Sequence, residues 1–119
     1  MPSKLGKQFD ILAAWVRKNV DFQFSVRSVV NLKMDGEKCH ATLLHRDGGE
    51  RYIICLERTD PYAVLEDSLL HEIAHAQTME EGEYTEDYAK QHSARWGVFY
   101  ARLYKKWRQV CDEKDRGAT

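Results

Sequence analysis

Residues 71–75 read His71-Glu72-Ile73-Ala74-His75, and this spacing constrains the chain more than any other feature. On a helix, two residues four apart lie about 40° apart around the axis, one turn above each other. His71 and His75 can therefore grip one ion together. Glu72 sits on the same side, about 60° from His75, near enough to reach a water on that ion without being a ligand. Leu69, Leu70, Ile73 and Ala76 fall on the opposite arc. A segment with this pattern folds as a helix with one buried side and one side for chemistry. Chance would place the motif in a chain of this length on the order of once in a few hundred times, which counts against accident.

The rest of the chain supplies a frame for that helix. Leu5, Phe9, Leu12, Ala13, Val16 and Val20 recur at spacings of three and four, which predicts a first helix over 3–19 capped by Ser3. The period then changes. Phe22, Phe24 and Val26 alternate with polar residues, and Asp35-Gly36 and Asp47-Gly48 separate apolar runs. Asp-Gly between such runs is a hairpin signal, so the expectation is a three-stranded antiparallel meander over 24–33, 38–45 and 50–57. Asp60-Pro61 reads as a cap followed by proline at the first helical position, with the helix running to about Met79. Thr85 would cap a last helix to about Gln109. That helix carries Ala89, His92, Trp96, Phe99, Tyr100, Leu103 and Trp107 on one stripe, and 110–119 is expected to fray. The fold class is thus α+β in a single domain over 1–119: helix, small sheet, a helix carrying the histidine pair, and a final helix.

Composition narrows the class further. The chain has 119 residues, 43% hydrophobic and 31% charged, with a net charge of −1. That is a globular balance around one core. No apolar run approaches the roughly 20 residues of a membrane span, and Met1 to Asp10 lacks the apolar stretch of a secretory signal. Three cysteines, Cys39, Cys55 and Cys111, with no CxxC argue against a disulfide framework or a zinc ribbon. Cys39 and Cys55 fall on adjacent expected strands as small buried residues. A reduced cytoplasmic location is expected.

Zinc with two helical histidines in a catalytic site takes a third protein ligand and leaves one position open. His92, 17 residues beyond His75, leads the candidates because its place on the aromatic stripe lets it face back across the helix pair. The runners-up are Glu80, Glu81, Glu83, Glu86 and Asp87. His40 and His45, in the second expected strand, read as exposed or paired polar residues. Asp67, one turn before His71, could orient a ligand imidazole.

His71-Glu72-Ile73-Ala74-His75-Ala76, followed by His92-Ser93-Ala94-Arg95-Trp96 with an aromatic four residues after the third histidine, resembles the SprT-like zinc metallopeptidases. The order of elements is similar too, and the specific residues of the resemblance lie in 69–96. The resemblance implies a zincin-like fold in which His71, His75 and His92 bind Zn2+ and Glu72 is the catalytic base. Its compact size would suit a phage or bacterial member. The chain departs from the family at Ser93-Ala94, where Gly-Pro is frequent, and shows no zinc-ribbon tail or separate DNA-binding segment.

As an enzyme the chain would be a metallopeptidase, an endopeptidase before an exopeptidase, acting on protein or peptide substrates. Zinc lowers the pKa of its water to about 7, and Glu72 would take that water's proton and pass it to the leaving amine. Tyr84, Tyr88, Tyr100 and Arg95 are candidate donors to the oxyanion. If 51–57 formed a sheet edge beside the cleft, an extended substrate could pair with its backbone. Residues 59–87 hold acids and no base, while 88–110 hold Lys90, Arg95, Arg102, Lys105, Lys106 and Arg108 and no acid. The last helix could therefore contact nucleic acid, although solvated bases near a helix C-terminus explain it more simply. The alternatives are a non-catalytic binding or adaptor module stapled by zinc, and a metal-free helical interaction domain.

Overall fold

The computed structural model describes residues 4–45, 52–82 and 92–117. In chain order the elements are α1 (Lys7–Asn19), β1 (Phe24–Val29), β2 (Lys33–Met34), β3 (Glu37–Lys38), β4 (Ala41–His45), β5 (Tyr52–Glu57), α2 (Tyr62–Glu80) and α3 (Ala94–Gly117). The architecture is mixed α+β, as expected. Two compact units share the chain, Met1–Glu72 and Ile73–Thr119, and the boundary falls inside α2.

In the first unit, α1 buries Phe9, Leu12, Ala13 and Val16, the stripe that the periodicity marked. It begins later than expected. Gly6, not Ser3, occupies the N-cap position, and no side chain caps the helix; Ser3 lies outside the described residues.

The sheet differs from a meander. Its order is β1-β5-β4, with β1 parallel to β5 and β4 antiparallel to it. The two outer strands were expected to run longer, but each is interrupted. Asn31 at φ 58 turns the chain out of β1, and β2 and β3 form a separate antiparallel hairpin. Its turn residues, Asp35 at φ 54 and Gly36 at φ 82, are the two left-handed positions of a type I′ turn, which Asp-Gly suits. The fifth strand then slots between the first and fourth. Its residues explain this: Tyr52, Ile53, Ile54, Cys55 and Leu56 are all buried. A strand without alternation has both faces covered and belongs at the centre of a sheet.

One face of the sheet presents Phe24 and Val26 toward α1, with the Arg17 guanidinium 5.0 Å from the Phe24 ring. On the other face, Leu32 packs with Ile53 and Cys55, joined by Val29 and Cys39. The two cysteines therefore share one apolar cluster as free thiols. Glu57 closes this face: its carboxylate accepts the Leu32 amide (2.9 Å), the Thr59 amide (3.2 Å) and the Thr59 hydroxyl (2.9 Å). These donors hold its pKa below the ordinary carboxylate value, the Leu32 amide contributing most.

The α2 helix starts one residue later than expected. Pro61 accepts its first helical bond from Leu65 (3.1 Å), and the Asp60 carboxylate instead meets His40 Nδ1 at 2.8 Å. The helix ends at Gly82, whose φ of 86 is the left-handed C′ conformation and whose amide reaches Met79 O at 3.0 Å.

In the second unit, Ile73, Ala74, Ala76, Leu103 and Trp107 are buried. Two expectations for the last helix need correction. It starts at Ala94, after His92, because Ser93 caps it by accepting the Trp96 amide at 3.2 Å. It also runs to Gly117, through most of the expected frayed tail. Thr85, Glu86 and Asp87 lie outside the described residues. Among the described residues, no helix is long and apolar enough to cross a membrane.

Candidate metal centre

The α2 helix carries both histidines of the motif. His71 and His75 stand one turn apart, each partly buried, with Leu69, Leu70, Ile73 and Ala76 fully buried behind them. His92 is exposed and immediately precedes the Ser93 cap. One ring nitrogen from each of His71, His75 and His92 lies within 4.8 Å of the others. This is the trio that the sequence singled out.

A tetrahedral ion held at about 2.0–2.1 Å spaces its ligand nitrogens roughly 3.4 Å apart. The trio is at most somewhat wider than that, so small side-chain rotations close it. Three neutral imidazoles suit zinc and its neighbours among the later first-row metals, and three protein ligands leave a position open. The residues fit the ion.

Trp96 organises the imidazoles. Its ring stacks on His75 (centroids 5.3 Å, interplanar 28°) and meets His92 edge-on (4.6 Å, 89°). His75 and His92 are themselves 4.7 Å apart at 69°. Tyr100 continues the row by stacking on Trp96 at 5.3 Å and 13°, and Tyr104 follows, with the Arg108 guanidinium 5.1 Å from its ring. The spacing His92, Trp96, Tyr100, Tyr104 is the signal for this row. Trp96, a member of the stripe expected on the last helix, is only partly buried and lies against two of the three histidines.

Glu72 lies beside His71 in a partly buried position, and burial pushes its carboxyl up to about 7. The Cys39 thiol is also raised, first by burial and then by the Glu72 and Glu57 carboxylates.

The other candidates have different employment. Glu81 accepts a bond from Gln77 Nε2 at 3.1 Å and pairs with Arg95 at 3.5 Å. Glu80 is not part of the trio, and Glu83, Glu86 and Asp87 lie outside the described residues. His40 is engaged with Asp60 in the loop before β4, and His45 stacks on Tyr52 at 4.9 Å. Asp67 is exposed, whereas its neighbour Glu66 is buried at 3% exposure. The helix phase carried that signal, since Glu66 falls on the apolar arc between Leu70 and Ile73. Of the oxyanion candidates, Arg95 is paired with Glu81 and Tyr100 is stacked on Trp96; Tyr84 and Tyr88 lie outside the described residues. The expected docking edge at 51–57 is not an edge, because β5 is paired on both sides.

No protein-family model matches the chain, and comparison with curated proteins and with solved structures yields no match either.

Proposed function

We propose that the chain is a zinc metallopeptidase of SprT-like type, with His71, His75 and His92 as ligands and Glu72 as general base. The observation that carries this reading is the convergence of three imidazoles, two from one turn of α2 and one 17 residues beyond His75, within 4.8 Å. Glu72 adds to it. A site that only stapled the fold would have no use for a carboxyl beside an open position, poised by burial near neutral pH.

Zinc, when bound, supplies a Lewis acid for the peptide carbonyl and lowers the pKa of the attacking water. The chain's residues divide the remaining work. His71 and His75 are fixed by one helical turn, and His92 is fixed by Trp96 and by the Ser93 cap that follows it. Glu72 accepts the proton of the attacking water and returns it to the departing amine nitrogen.

Elemental analysis and a peptidase assay test the proposal together. About one zinc per chain is expected, sharply reduced in His92→Ala. Glu72→Gln should keep the zinc and lose cleavage of an unfolded protein substrate by at least a hundredfold, the usual scale for a general base. Zinc retained with no cleavage by the unaltered chain would favour the stapled binding module. A chain without zinc, even after refolding with the metal, would remove both readings.

A further inference from the structure

The first unit contains a second feature with the makings of a binding site. A cleft of about 330 Å³ opens between α1 and β1, lined by Leu5, Phe9, Asp10, Ala13 and Arg17 from the helical side and by Val26 and Ser28 from the strand. Its lining is mixed, with Asp10, Arg17 and Ser28 set among apolar side chains. Val26 and Ser28 are alternate residues of β1, so their side chains share one face of the sheet.

Three observations give the cleft an occupant. Among the described residues, β1 is laddered on one side only, by β5. Its other edge presents unpaired backbone groups to any extended chain that arrives. The β1 sequence, Phe24-Ser25-Val26-Arg27-Ser28-Val29, has no proline to block that pairing. The third observation is charge. Arg17 is exposed, and among the described residues its guanidinium makes no ion pair; it lies over Phe24, at the start of β1. Asp10, two turns earlier on the same helix face, stands roughly 10 Å from it along the axis. That is the length of about three residues of extended chain.

We propose that this cleft binds an extended peptide segment that adds a strand to the free edge of β1. The segment places an aliphatic side chain over Phe9, Ala13 and Val26 and, two residues away, a carboxylate on Arg17. Backbone pairing supplies affinity, and the cleft reads alternate side chains. The site uses none of the histidines and does not rest on the metal reading.

The test is fluorescence anisotropy with the full chain, before and after chelator treatment, and two labelled peptides. One has a glutamate two residues before a central isoleucine and a lysine two residues after it; the other has the reverse order. One of the two should bind with a Kd on the order of 100 µM, a typical weak peptide affinity. The preferred order tells whether the added strand runs parallel or antiparallel to β1. Arg17→Glu should weaken binding about tenfold, and replacing the peptide's glutamate with lysine should restore it. Hydrogen exchange should slow across Phe24–Val29 in the complex. The proposal fails if neither peptide binds, or if binding is indifferent to Arg17→Glu. It also fails if the chain alone is a dimer with these amides already protected, the edge then being taken by a second copy.

Discussion

Trp96 shows how much of a metal site can rest on a residue that touches no metal. Its ring stacks on His75 and meets His92 edge-on, and the two imidazoles lie 4.7 Å from each other. Each such aromatic pair contributes about 0.5–1.5 kcal/mol beyond the area it buries. Trp96→Leu keeps an apolar side chain but removes the flat faces. Zinc affinity, measured by competition against a chromophoric chelator, should fall about tenfold while the circular dichroism stays that of the unaltered chain. A collapse as deep as that of His92→Ala would mean instead that Trp96 holds the fold. At this scale the sequence was informative. The pair His71 and His75 was legible because a four-residue spacing on a helix is purely local geometry. His92 was legible as the third candidate because few residues in the chain have its chemistry.

Elements were less legible, for reasons that differ between helix and sheet. The last helix was extended too far toward its start because Ala89, His92 and Trp96 keep a helical spacing across a point where Ser93 begins a new helix. Periodicity marks a face, but a cap decides where the backbone enters it. Ser93→Ala should therefore cost about 1 kcal/mol, read as a lower urea midpoint. It should also weaken zinc binding, since the residue it frees is adjacent to His92. The sheet failed differently. Strand order is a long-range choice that alternation cannot report, yet the unbroken apolar run of Tyr52–Leu56 did carry the sign of a central strand. Glu57, at the end of that run, gives a pH dependence of known sign. Its amide donors lower its pKa in the folded chain, so the unfolded chain binds the proton more readily. The stability it contributes is complete above the ordinary carboxylate value, and it is lost as the pH falls through the lower folded value. Glu57→Gln should flatten the fall of the urea midpoint on the acid side of the ordinary carboxylate value.

For the whole molecule, the metal reading makes a thermodynamic claim. His71 and His75 are neighbours in any helical turn, but His92 meets them only in the folded chain. Unfolding therefore dismantles the trio, and zinc that binds the folded chain alone must stabilise it by mass action. At a free concentration about a hundred times Kd the gain is about 2.7 kcal/mol. For a chain of this size that corresponds to a rise in Tm of roughly 10 °C. Differential scanning calorimetry with added zinc and with chelator measures it directly. His92→Ala should melt cooperatively but lose most of the zinc-dependent shift, because two imidazoles on one helix turn bind far more weakly than three. A shift preserved in that variant would move the third ligand to an acid of the Glu80–Asp87 stretch. A native chain whose Tm ignores zinc would leave the three imidazoles as neighbours without an ion.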